Sequence, residues 1–575
     1  VEPTRRDVDR NEAVALVIDS EIGAVMLGER GNEVRFEPSA ALAGIDRLEH
    51  TEAPRWVWWS QDTARVLVAA GIRPARCWDL DAVHRLIHGG WKAGPARTWA
   101  AAHGLDTEQL PDIGPNDLFS SMAEHADEGD PVRHDGHLDP RWIERGWRAD
   151  LGCLARHAAL ALAVYDEQRR QLDELAVCQA APATARSESA AALLAVELEH
   201  DGLPIDRDEA ERIIAGFIGR RPHDAADERR LAAERDDLVL SHLPVGLRGG
   251  VDLRNPASVK SLLRRAGIEV DDTRAWRLER LRHDHPVIDA LLVWRKAERI
   301  ATTFGYRWLD DHVGPDGRLR GSWTSSDGAA GRMTATAGLH NMPTDLRPAV
   351  VAEPGHRFVR ADLGQIEPRI LAAVSGDEGL AEATLEADMY APVAKRLGVS
   401  REIAKVAVLG AMYGQTSGHG AAALRGLEAS YPVAMRYLTN AATSAEAGRD
   451  LRTRGGRRIR MSGSDDPSTE DRDRRSRAAA RGRYGRNAMV QGAAAEFFKM
   501  WAVVARARLP VNAQIVLCLH DELLVHTPAD LAADVAEIID GALQETAARW
   551  REPELRTDVR FVADTSVIAR WSDAT

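Results

Sequence analysis

The segment Val516–His526, VLCLHDELLVH, limits what this chain can fold into more than any other stretch. Valine, leucine and cysteine on both flanks read as one buried β-strand, yet His520, Asp521 and Glu522 stand consecutively at its middle. An uncompensated charge there would cost several kcal/mol, on the order of a domain's whole stability. A second run, RFVRADLGQIEPRI, leads through β-favouring residues to Asp362, with Glu367 five positions later. If the two strands are neighbours, Asp362 and Asp521 face each other, and their repulsion must be relieved by a proton or by bound cations. Mg²⁺, which takes one or two carboxylates together with phosphate oxygens, suits that ligand set. Taken singly, an acid at a strand end is more often a turn or cap residue.

A third segment is SREIAKVAVLGAMYGQTSGHG. Ser400 is placed to cap a helix on which Arg401, Lys405, Leu409 and Tyr413 follow at four-residue steps along one face. Two cations above an apolar platform and a ring suit a polyphosphate joined to a flat base; the bland alternative is a solvated first turn above a core-facing stripe. Gly410 and Gly414 allow close approach, and the glycine-rich end stops the helix.

The rest of the chain bounds these readings. At 575 residues it is too long for one core and implies about three or four domains. A content of 44% apolar and 28% charged residues excludes global disorder. No apolar run reaches the roughly 20 residues a membrane span needs, and VEPTRRDVDRNE lacks a signal-peptide core, so a cytoplasmic, nucleoid-associated protein with no membrane partner is expected. Cys77, Cys153, Cys178 and Cys518 have no zinc-like spacing and read as reduced structural thiols. A net charge of -13 disfavours nucleic acid except where cations gather locally. Arginines crowd RTRGGRRIR (452–460) and DRDRRSRAAARGRYGR (471–486), which offer a basic surface or a solvated charge run.

Residues 1–185 read as a small α/β unit with strand-like AVALVI and RWVWW. QAAPATARSES then reads as a linker, residues 186–320 as mostly helical, and SGSDDPSTEDRDRRS (462–476) as a mobile loop.

Together ADLGQIEPRILAAVSGD, REIAKVAVLGAMYG and LHDELLVH resemble motifs A, B and C of the family-A DNA polymerases. VELEHDGLPID, the WRKAERIATTFG run, GRMTATAGLHNMP and RNAMVQGAAAE extend the likeness over about residues 190–575. The resemblance implies an α/β multidomain fold: an RNase H-like, exonuclease-type N-terminal domain (1–185) followed by a right-hand polymerase. Its thumb would be 186–320, its palm 321–390 and 496–575, and its fingers 391–495. It implies a monomer that binds primer-template DNA and dNTPs, with two Mg²⁺ ions, Mn²⁺ being a possible substitute. Asp362 and Asp521 would hold the metals, Glu522 would support them, and Lys405 would donate a proton to pyrophosphate. Arg401, Lys405, Leu409, Tyr413, Glu367, Gln365 and Tyr390 would meet the nucleotide, Glu367 by crowding the sugar 2′ position. Arg332, Asn341, Arg483, Asn487, Gln491 and His520 would meet DNA.

Departures from the family pattern are also visible. Leu409 stands where an aromatic is usual, Leu363 and Gly364 replace Tyr-Ser, and Tyr390 occupies a common His position, which implies altered nucleotide discrimination rather than lost chemistry. In the first domain Thr63 and His157 fall where an exonuclease carries metal-binding aspartates. Asp19 and Glu21 read as a strand-to-turn pair, and Asp62 lies one position from an expected acid. An inactive exonuclease-like platform is therefore expected, with no 5′-nuclease domain upstream. The alternatives are a polymerase with a working 3′-5′ exonuclease, and a non-catalytic DNA-binding scaffold.

Overall fold

A computed structural model describes residues 12–111, 130–142, 150–175, 178, 180–414, 420–461, 471–551 and 558–574. The chain divides into two units, one of residues 1–201, 323–334 and 355–567, the other of 202–322, 335–354 and 568–575.

The first unit begins with β1 (Ala13–Asp19), β2 (Gly23–Gly28), β3 (Glu33–Phe36), β4 (Arg55–Trp58) and β5 (Cys77–Asp79), in the order β3-β2-β1-β4-β5. β1 runs antiparallel to β2 and parallel to β4. Ala13, Ala15 and Val17 enter one core and Val14 and Leu16 another, so β1 is covered on both faces and is apolar at successive positions. Helix α1 (Gln61–Ala69) follows β4, its N-terminus capped by Ser60. α2 (Leu151–Glu174) packs on the sheet.

The stretch read as a linker is instead the start of a helix, α3 (Ala181–Asp201). Pro182 is tolerated in its first turn, and its polar residues face inward because distant charges meet them: Glu188 is fully buried. The arginine run 452–460 also departs from a basic surface. Arg457 is 2% exposed and pairs with Glu188, Arg458 pairs with Asp450, and Arg452 donates to the Gly456 carbonyl.

The second unit is largely helical, as expected for this region. Its longest helix, α4 (Pro286–Thr303), buries Val287, Ile288 and Leu291 against Val259, Leu262 and Leu263.

The remainder of the first unit carries the hairpin β6 (Trp323–Asp327) and β7 (Arg332–Ala335), then β8 (His356–Leu363), α5 (Ile366–Ser375), α6 (Arg401–Tyr413) and α7 (Asp471–Arg508). β9 (Gln514–Leu519), β10 (Glu522–Pro528), α8 (Ala532–Trp550) and β11 (Ala563–Ile568) complete it, and the second sheet has the order β9-β10-β8-β11. The predicted loop over 462–476 falls outside the described residues up to 470, and from Asp471 the chain is helical.

VLCLHDELLVH is not one interrupted strand but two. Leu519 pairs with Glu522, and His520–Asp521 form a two-residue turn in which His520 has φ +53°. No glycine, asparagine or proline marks the turn, which is why alternation alone reads through it. All four cysteines are free and buried, and no helix among the described residues is long and apolar enough to cross a membrane.

Candidate active site

Antiparallel pairing of β8 with β10 puts Asp362 opposite Glu522, and the Leu363 N–H donates to the Asp521 carbonyl at 2.9 Å. The two remote acids are thus brought to one end of the sheet. Burial and the charge of Asp521 push the Asp362 carboxyl up to about 6, and burial, with Glu522 and Glu367 nearby, also raises Asp521. One cation answers this charge from within the sheet. Arg360 reaches Asp362 at 2.9 Å, Glu522 at 3.4 Å and Asp564 at 3.5 Å. With Arg360 shared by three carboxylates and only Arg332 acting on the neighbouring Asp521, an oxygen-rich excess of negative charge remains, the donor set that a hard divalent cation fits.

α6 begins with Ser400, whose hydroxyl accepts from the Ile403 N–H, and ends at Gly414, φ +69°. A Cβ on Gly414 would lie 2.9 Å from Arg483 Cγ, so the helix end and α7 meet closely there. Arg401, Lys405 and Leu409 line a cavity of about 320 Å³ together with Gln365, Glu367, Tyr390, Arg332, His520 and Asp521. Glu367 is held at both oxygens, by Arg332 at 2.9 Å and by the Tyr413 hydroxyl at 3.0 Å. Burial, then the Glu367 charge, pushes Tyr390 up to about 12, so it stays a neutral phenol. His520 is held below its ordinary value by burial and by Arg332. On α7, Arg483, Asn487 and Gln491 follow at four-residue steps, and Asn487 Oδ1 is buried without a hydrogen-bond partner among the described residues.

Two predicted residues have a second role. Arg401 is tied to Asp388 at 2.5 Å, and Gln365, in the left-handed region at φ +55°, donates to the same Asp388 while accepting from the Met389 N–H. Asn341 belongs to the other unit, in the turn Leu339–Asn341, where its carbonyl accepts from Arg299.

Sequence reasoning missed Asp388, Arg360, Asp564 and Phe498. Phe498 had a usable signal: it follows Gln491 by seven residues, two helical turns along one face, with Ala494 and Ala495 between, and all but Gln491 line the cavity. Asp388 had none, because its partners Arg401 and Gln365 lie on other elements.

In the first domain Asp19 Oδ1 accepts from the Glu21 and Ile22 N–H groups, the turn role expected of it. Asp62 is exposed and paired with Arg65, and His157 is buried with its ring 5.1 Å from that of Trp59.

The model of DNA polymerase family A matches residues 258–573, more than half the chain, and the chain belongs to that family. The chain is 33% identical over 299 residues to DNA polymerase I of Chloroflexus aurantiacus, covering 46% of this chain and 30% of that protein. It is 28% identical over 291 residues to DNA polymerase I of Deinococcus radiodurans, covering 45% of this chain and 30% of that one. The matches thus span under a third of those relatives' length. Among solved structures, the POL domain of Pol1 from M. smegmatis, in complex with DNA primer-template and dNTP, superimposes with a TM-score of 0.67. It covers 98% of this chain and 96% of that one at 20% identity, a likeness of fold.

Proposed function

We propose that this chain extends a primer 3′ end along a DNA template with deoxynucleoside triphosphates, as a monomer acting at the nucleoid. The observation that carries the reading is the approach of Asp362 and Asp521 at one sheet end beside a cavity lined by Arg401 and Lys405, in a chain of this family. Asp362 and Asp521 would hold two Mg²⁺ ions, or Mn²⁺ in their place, with Glu522 beside them. Such ions would supply a lowered pKa for the primer hydroxyl and positive charge for the α-phosphate and the leaving pyrophosphate.

The chain's own side chains do the rest by position. Arg401 exchanges Asp388 for the triphosphate, and Lys405 Nζ gives a proton to pyrophosphate. Glu367, fixed by Arg332 and Tyr413, leaves no room for a sugar 2′-hydroxyl. Leu409 packs against the incoming base with less surface than a ring would offer. Arg332, Asn341, Arg483, Asn487, Gln491 and His520 contact the template and primer. In this reading residues 186–320 are the thumb, 321–390 and 496–575 the palm, and 391–495 the fingers.

The test is primer extension. A labelled primer annealed to a longer template should lengthen by one nucleotide when the templated dNTP and Mg²⁺ are supplied, and not when EDTA is present. No extension with either Mg²⁺ or Mn²⁺ would overturn the proposal in favour of a scaffold.

The N-terminal domain is proposed to be catalytically silent, since Asp19 is spent on a turn and Asp62 on Arg65. Single-stranded DNA labelled at its 5′ end should keep its full length during incubation with Mg²⁺ and no nucleotides. Shortening that disappears in an Asp62→Ala variant would show a working nuclease instead.

A further inference from the structure

A second cavity, of about 230 Å³, lies in the first unit where α3, α7 and α8 approach the β4–β5 end of the first sheet. Among the described residues it shares no lining residue with the candidate active site. Six arginines line it: Arg55 on β4, Arg76 beside β5, Arg186 on α3, Arg506 and Arg508 on α7, and Arg549 on α8. The only carboxylate among its described lining residues is Glu545, which Arg508 and Arg549 share. Arg506 is taken by Glu197, at 2.6 Å, and Arg76 donates to the Ala53 carbonyl. That leaves Arg55, which donates to the Tyr165 hydroxyl at 3.3 Å, and Arg186, neither paired with a carboxylate among the described residues.

On a chain of net charge -13, six guanidinium groups from β4, the segment before β5, α3, α7 and α8 line one concavity and outnumber the acids paired with them, Glu197 and Glu545, which leaves a local excess of positive charge. Arg186 keeps an exposed face, and the partial burial of its guanidinium, then the positive charges of Arg55 and Arg549, draw it below the ordinary guanidinium value. Like charges held together in a partly desolvated space are completed by an anion, and the planar guanidinium fork matches phosphate oxygens two at a time. The cavity floor is apolar, with Met500, Val503 and Val504 from successive turns of α7. Its size excludes a duplex. We propose that this cavity is a binding site for a small polyphosphate, with the phosphates on Arg55 and Arg186 and any attached nucleoside against the Met500–Val504 floor.

The site is separate from the one proposed for synthesis, so it is tested in an Arg401→Ala/Lys405→Ala background, in which triphosphate binding at that other site is removed. Calorimetric titration with inorganic triphosphate and with dATP is expected to show one site, weakened at least tenfold by Arg186→Ala or Arg55→Ala. Val503→Glu adds a second carboxylate to the lining, on the apolar side. It should abolish binding without lowering the melting temperature, which separates loss of the site from loss of fold. Tighter binding of dATP would assign the floor to a nucleoside, and equal binding would assign the site to the phosphates alone; either supports the proposal. Binding unaffected by all three substitutions, or none above that of sulfate at equal ionic strength, would mark the arginines as a solvated rim and overturn it. Primer extension by Arg186→Ala in the otherwise unaltered chain should equal the parent's, whatever the fate of the polymerase reading.

Discussion

Replacing Asp362 or Asp521 with asparagine is expected to slow primer extension on the order of 10³-fold while leaving the protein folded. The loss follows from removing half of the charge that would bind the divalent ions. The retained fold follows from electrostatics in the free protein. Asp362 has a carboxyl raised from 3.8 to about 6, chiefly by burial and by the charge of Asp521. A group whose folded pKa is raised contributes stability that is fully present below its unfolded pKa and is lost as pH rises through the folded value. The parent therefore carries its unrelieved repulsion above pH 6, and Asp362→Asn removes it. In EDTA at pH 8 the variant should melt at or above the parent's temperature, and the advantage should vanish by pH 4. With its side chain 34% exposed, Asp362 is screened, and the gain should stay within about 1 kcal/mol. Mg²⁺ should raise the melting temperature of the parent and not of the variant. A variant that melts well below the parent at pH 8 would mean that the carboxylate is a structural partner of Arg360 rather than a strained half of an acid pair.

How much of this was legible in sequence depended on how local each cause is. β8 and α6 were readable because alternation, a serine cap and four-residue spacing act within one element, and the meeting of β8 with the 514–528 segment followed from two misplaced acids. The His520–Asp521 turn was not readable, since neither residue announces a reversal. α3 failed for the opposite reason: its alanines and polar residues look like a tether, and the charges that bury Glu188 lie some 270 and 310 residues further along the chain. The same pairing hid the fate of Arg457, read as surface within an arginine run. Arg401 lines the cavity, but its resting partner Asp388 shares no element with it, so no local pattern announces the pair.

The largest loss of stability is expected from Glu188→Leu. Glu188 and Lys499 are completely buried, with Lys499 Nζ 2.6 Å from the Glu188 carboxylate and 3.2 Å from the Ser325 carbonyl. Arg457 reaches Glu188 at 2.7 Å and the Ser326 hydroxyl at 3.0 Å, and Glu496 accepts from Thr453 and the Gly455 N–H. Burial alone would raise Glu188, but Arg457 and Lys499 more than offset it and leave it below the ordinary glutamate value. Lys499 is pulled down to about 8 and Glu496 up to about 7, each mainly by burial. Removing Glu188 leaves two buried cations facing one weakly charged acid, a change that costs about 3–5 kcal/mol. For a lysine whose folded pKa is depressed, stability is present above the unfolded value of 10.5 and is lost as pH falls through the folded value. The substitution depresses Lys499 further, so the deficit in urea melts should widen as pH is lowered from 10 to 7. Adding Lys499→Met restores one cation to one acid and should recover most of the loss, because a balanced apolar replacement of a buried pair is often near neutral. The cluster also joins α3 and α7 to the β6–β7 hairpin, where a Cβ on Gly331 would strike the Arg457 guanidinium and the next residue, Arg332, holds Glu367. Primer extension by Glu188→Leu should therefore fail at temperatures where its fold is marginal and return in the double variant, whereas loss of extension with an unchanged melt would detach this buried network from the hairpin it is argued to hold.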